Sequence, residues 1–158
     1  MNTSLLKSLV AALLIPVGIQ SAFIASGQTS DQHALTLVEV VQRLENDGYG
    51  PFTELSMDDG NWEVEARKNR ESVELTADPD SGKVLAEHRD DPEAAPPADA
   101  MTLSDVLRIV LDSGSYKTFD NVSFERRYWE IEVHKDGQKH ELHVDPITGT
   151  IIAERVDD

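Results

Sequence analysis

The sequence predicts an α+β protein made of two similar domains, each one helix packed on a four-stranded antiparallel sheet. Three observations carry that prediction. The chain repeats itself: Phe52–Asp91 lies on Phe119–Asp158 at a constant shift of 67 residues with 15 identities in 40 positions, too regular a match for chance. Within each copy the apolar period changes from helical to alternating. Turn residues then punctuate the alternating part at the same places in both copies.

The helices come first in each unit. Leu37, Val40, Val41 and Leu44 recur at i, i+3, i+4 and i+7, as do Leu103, Val106, Leu107 and Val110, so each helix has one apolar stripe to bury. That stripe is core, not a ligand groove. Thr36 with Glu39 three residues on has the form of a capping box, and Thr102 with Asp105 is a looser version whose shorter side chain reaches back less well. Gly48 and Gly114 stand where the helices should stop.

Strands follow. Phe52–Met57 and Phe119–Phe124 are the expected first strands. Next, Trp62, Val64 and Ala66 face one way while Glu63, Glu65 and Arg67 face the other; Trp129, Ile131 and Val133 oppose Glu130, Glu132 and His134 in the same manner. The third strands turn Val73, Leu75 and Ala77, or His140, Leu142 and Val144, inward, and Lys83–His88 and Thr150–Arg155 close each unit. Asp136-Gly137 between two alternating runs is a two-residue hairpin turn with positive φ at both positions. Counting outward from it pairs Lys135 with Gln138, Trp129 with Val144, Ile131 with Leu142, Glu130 with His143, and Glu132 with Glu141. In the first copy Asn69-Arg70 is weaker turn chemistry, but the same register pairs Glu65 with Glu74. Asp78–Gly82 and Asp145–Gly149, both Asp-Pro-x-x-Gly, make the second turns.

Between the copies runs Asp90–Ala100, DDPEAAPPADA, with three prolines and no large apolar side chain. This composition reads as a semi-extended linker between two domains, and the expected division is 28–91, a linker at 92–100, and 101–158. At the N-terminus Lys7 is the only charge in the first 27 residues and Leu9–Ile19 is an apolar run broken by Pro16. With Ala25 and Gly27 at the −3 and −1 positions this is expected to be a signal peptide, residues 1–27, that leaves no membrane span behind and sends the chain to the periplasm or outside the cell. The formal charge of −16 disfavours nucleic acid and anionic membranes as partners. The absence of cysteine removes disulfide and thiolate chemistry.

A helix, a Trp-Glu-x-Glu strand, a second alternating strand, an Asp-Pro-x-x-Gly turn and a closing Ala-Glu strand together resemble the PepSY domain, here twice. The Trp62 and Trp129 strands and the turns at Asp78–Gly82 and Asp145–Gly149 carry the match. The family occurs in propeptides of secreted metallopeptidases and in small exported proteins. The resemblance implies binding or inhibition of a peptidase, and it brings no catalytic signature with it.

Candidate chemistry is sparse. No serine or threonine sits in a nucleophile elbow with histidine, so an enzyme is not expected, and no cofactor is implied. Asp78–Gly82 is too short for an EF-hand calcium loop. What remains is acidic: Glu63, Glu65, Glu74, Glu130, Glu132 and Glu141 share the outward faces, and Glu65 opposite Glu74 and Glu132 opposite Glu141 place like charges across strand pairs, at a cost of about a few tenths of a kcal/mol or more each. A basic protein or peptide partner, such as a peptidase or an envelope protein with a basic surface, would relieve this; so would a cation on a neighbouring strand, for which Lys83 is the candidate. The alternative reading is a periplasmic metal-binding protein using Glu130, His134 and His143 of the second copy, residues for which the first copy has no matching histidines. The sequence leaves open the oligomeric state and whether the two sheets join edge to edge.

Overall fold

The computed structural model describes residues 34–113 and 116–157. The expected signal peptide and the helix stop at Gly114 lie outside them. Each unit runs helix then four strands: α1 Leu37–Asn46, β1 Tyr49–Asp58, β2 Asn61–Lys68, β3 Glu71–Ala77 and β4 Val84–Arg89, then α2 Leu103–Ser113, β5 Thr118–Glu125, β6 Tyr128–Lys135, β7 Gln138–Val144 and β8 Ile151–Val156.

The local chemistry accounts for these elements. Thr36 caps α1 through a complete capping box: its hydroxyl accepts the Glu39 N–H at 3.3 Å while the Glu39 carboxylate accepts the Thr36 N–H at 2.7 Å. At α2 the Thr102 hydroxyl accepts the Asp105 N–H at 3.3 Å, but Asp105 turns its short side chain to Arg108 instead. A second acid helps there. Glu45 of α1 accepts the Ser104 N–H and hydroxyl at 3.2 and 2.6 Å, placing a carboxylate at the positive end of α2.

Both hairpin registers are those expected, with Trp129 opposite Val144 and Glu132 opposite Glu141 in one unit and Glu65 opposite Glu74 in the other. Asp136 and Gly137 have φ of 52° and 82°. Asn69 and Arg70 adopt the same conformation, at 52° and 72°, because the flanking strands twist alike and leave the turn no other path; a non-glycine residue in that region costs about 1 kcal/mol. The Asp78 carboxylate accepts the Ser81 hydroxyl and N–H at 2.5 and 2.7 Å. Asp145 does the same for Thr148, and these bonds hold both carboxyls below their usual range.

The two sheets join. β1 and β5 pair antiparallel through Glu54–Ser123, Leu55–Val122 and Ser56–Asn121, giving one eight-stranded sheet in the order β4-β3-β2-β1-β5-β6-β7-β8. Leu55 and Val122 are opposite each other and both fully buried. Since paired residues share a face, the two apolar faces become one. Both helices pack on that face and against each other, over a single hydrophobic core that runs from Val73 to Val144. Joining β1 to β5 also hides two strand edges that would otherwise be open to other chains. The stretch between the copies is held along its course, by Asp90 N–H to Ser72 O, Arg67 Nη2 to Glu93 O and Met101 N–H to Pro146 O at 3.1, 3.2 and 2.9 Å. Among the described residues no helix is long and apolar enough to cross a membrane.

Candidate functional site

With the helices on one side, the other side of the sheet is open. Following the pairings strand by strand gives two rows of side chains across the full width of this face. One row is His88, Glu74, Glu65, Glu54, Ser123, Glu130, His143 and Ala153; the other is Ala86, Thr76, Glu63, Ser56, Asn121, Glu132, Glu141 and Arg155. The 67-residue repeat exchanges the rows, so Glu65 and Glu132, Glu74 and Glu141, and His88 and Arg155 occupy equivalent places. All six glutamates expected as partner-binding residues lie here. The seam adds Glu54, which sequence reasoning missed because its counterpart in the other copy is Asn121; the signal was the Asp59-Gly60 turn, which folds β1 onto β2 and sets Glu54 opposite Glu65.

The two halves of the face differ in how their charge is met. In the second, Lys139 lies 2.7 Å from Glu132, Arg155 binds Glu141, and His143 Nε2 stands 2.9 Å from Glu141 and 3.7 Å from Glu130. Against the opposing effect of burial, Arg155 and His143 hold the Glu141 carboxyl below its ordinary value, whereas burial and then Glu141 and Glu125 raise Glu130. In the first half His88 is 3.1 Å from Glu74, and Glu63 accepts the Thr76 hydroxyl at 3.3 Å. Lys83 does not provide the relief expected of it. It lies before the start of β4, and the bulge in that strand brings His88 opposite Glu74.

Glu65 sits in the least compensated place. Burial first, then the Glu93 carboxylate from the linker, Glu54 and Asp90 push its carboxyl up to about 7. A carboxyl raised in the folded state stabilises the protein fully below its unfolded value, and that contribution is lost as pH rises from about 4.5 through 7. Glu65→Gln should therefore match the wild type near pH 5 and exceed it at pH 8 by about 1 kcal/mol, after allowing for solvent screening at a half-exposed site. Urea unfolding of both proteins at the two pH values measures this, and equal stability at pH 8 would reject the assigned repulsion.

Of the three expected metal ligands, the structure brings two together. Glu130 and His143 are joined by Glu141, with donor atoms within 4.8 Å of one another. His134 is elsewhere on the face, 2.7 Å from Asp120, because it lies four residue pairs along the hairpin from His143. The set is one imidazole and two carboxylates, a donor mix suited to zinc or copper. Arg155 already stands in it, with its guanidinium on Glu141 and 3.3 Å from His143 Nε2, so a metal would have to displace a fixed cation. The Tyr128 ring stacks on His143 at 4.1 Å. His140 points into the core as expected, with Nδ1 2.9 Å from Glu154.

A family model described as the peptidase propeptide and YPEB domain matches residues 7–88, more than half of the chain, and a second of the same description matches residues 100–155. The chain belongs to the PepSY family. It carries two PepSY-type domains in tandem, each supplying one helix and four strands. Among solved structures, a chain from Clostridium difficile 630 provisionally named a lipoprotein is 14% identical, with 74% of this chain and 88% of that chain covered at a TM-score of 0.45. One from Bacteroides eggerthii DSM 20697, provisionally named a periplasmic protein, is 13% identical over 78% and 89% at 0.28. A DUF2874 family protein from Bacteroides uniformis ATCC 8492 is 14% identical over 75% and 86% at 0.27. No curated protein matches the chain.

Proposed function

We propose that this tandem PepSY protein is an exported, non-catalytic module that binds a basic segment of another protein or peptide on the open face of its sheet, and that a peptidase is the fitting class of partner. The observation that carries this reading is the pair of cross-strand rows, with seven glutamates spanning a seam that places both units on one surface. Like charges directly opposite one another oppose folding, and a cationic partner would relieve the cost that remains at Glu54 and Glu65, whose carboxyls are raised by burial and by neighbouring acids. The family's description as a peptidase propeptide domain supports the choice of partner class, and the apolar run before Gln28 supports export.

A fluorescent decapeptide of alternating arginine and glycine tests the face. Replacing Glu63, Glu65, Glu74, Glu130, Glu132 and Glu141 by glutamine should weaken its binding by about tenfold or more in anisotropy titrations near 150 mM salt. A control protein neutralised at six exposed acids off the face, Asp47, Asp59, Asp80, Asp99, Asp112 and Asp136, has the same net charge. Equal loss in the two proteins would mean that net charge alone attracts the peptide, and the reading would be abandoned.

A further inference from the structure

On the side away from the acidic rows, a cavity of about 380 Å³ opens where α1 ends, β1 begins and the linker returns to α2. Its walls are mainly aromatic and proline surface: Tyr49, Phe52, Pro96, Pro97, Met101 and Trp129. This is the size of a small-molecule site, in a cleft whose rim at Pro97 and Ala98 is exposed.

Trp129 supplies a second observation. The residue is 1% exposed, and its indole N–H has no hydrogen-bond acceptor in the structure. A buried donor left unpaired is destabilising, so native cores rarely keep one. Phe124 packs edge-on against the ring with centroids 5.3 Å apart, and an aromatic face is a poor substitute for an acceptor. Glu45, also in the wall, is already committed to the Ser104 N–H and hydroxyl.

We propose that this cavity binds an uncharged, largely apolar ligand bearing one carbonyl-type acceptor, which takes the Trp129 N–H. An anion is disfavoured by the Glu45 carboxylate in the wall and by the formal charge of −16. A wholly apolar ligand would leave the N–H unanswered. The N–H is closed to water, so binding includes a local shift of the wall around Trp129. The wall at Pro96, Pro97 and Ala98 belongs to the linker, where Ala98 is exposed. The site is independent of the proposed acidic face.

Prodan, a neutral naphthyl ketone whose emission reports both apolar surroundings and hydrogen bonding to its carbonyl, is the probe. The purified protein should bind it saturably, with blue-shifted emission and a Kd of about 1–50 μM. Ala98→Trp, which fills the mouth from an exposed linker position and leaves the core untouched, should weaken binding at least about tenfold. Trp129→Phe removes the N–H and keeps most of the ring, and should weaken it about three- to tenfold. The six-glutamine protein should bind prodan as the wild type does, which separates this site from the acidic face. Absence of saturable binding up to about 100 μM, wild-type affinity in Ala98→Trp, or wild-type affinity in a folded Trp129→Phe each overturns the proposal. Far-UV circular dichroism establishes folding, and if Trp129→Phe does not fold, Ala98→Trp decides.

Discussion

Leu55→Ala is expected to lower the stability of the molecule by about 3 kcal/mol and to move the unfolding of both halves together. Leu55 is fully buried at the middle of β1, opposite Val64 on one side and Val122 on the other. Truncating it removes transfer energy and leaves a cavity at the one place where the two sheets join. Its effect crosses the seam because the core is continuous, so neither half keeps its buried surface when the other opens. Trp62 lies in the first unit and Trp129 in the second, and the chain has only these two tryptophans. Urea unfolding of Trp62→Phe and Trp129→Phe backgrounds, each with and without Leu55→Ala, follows one half at a time. If the Trp62 transition shifts while the Trp129 transition stays in place, the halves fold independently and the seam is only a contact.

Gly149→Ala is expected to cost about 2–3 kcal/mol, from backbone strain and from overpacking. Gly149 closes the second Asp-Pro-x-x-Gly turn with φ of 69°, a conformation that an L side chain adopts only under strain. Its position is also crowded. A Cβ there would lie 2.6 Å from Ile109 Cδ1 and 3.4 Å from its Cγ2, so α2 sits directly on the turn. Gly60 provides the comparison: its φ is 82° and a Cβ would meet nothing within 4 Å. Gly60→Ala should therefore cost only the strain, about 1 kcal/mol. The difference between the two, measured by urea unfolding, isolates the helix contact; adding Ile109→Ala to Gly149→Ala should recover part of it. Equal costs at the two glycines would show that α2 places no demand on the turn.

Much of the fold is legible one hairpin at a time. The alternation of Trp129, Ile131 and Val133 with Glu130, Glu132 and His134, anchored by Asp136-Gly137, is enough to derive the β6–β7 register, because a side-chain period of two and a two-residue turn leave no other solution. The candidate face is legible to the same extent. Its six glutamates are visible as outward residues of predicted strands. Glu54 could have joined them, since the Asp59-Gly60 turn sets it opposite Glu65; what nothing local marks is its junction with Ser123 across the seam. The counterions are likewise hidden. His88 meets Glu74 and Arg155 meets Glu141 only because each outer strand carries a bulge that resets its register by one residue, and a bulge leaves no trace in a simple alternation.

The repeat, the helix-then-four-strand order in each unit, both hairpin registers and the Asp-Pro-x-x-Gly turns are all written locally in the chain. These depend on interactions between residues close in the chain, where periodicity and turn chemistry act directly. Tertiary contacts set the rest: the two sheets become one, both helices share a face, and the proline-rich stretch forms part of the wall beside Trp129. Those outcomes turn on which strand edges meet. An open edge offers the same backbone N–H and C=O groups whatever its sequence, so the partner is chosen by the burial of Leu55 against Val122 in the assembled core.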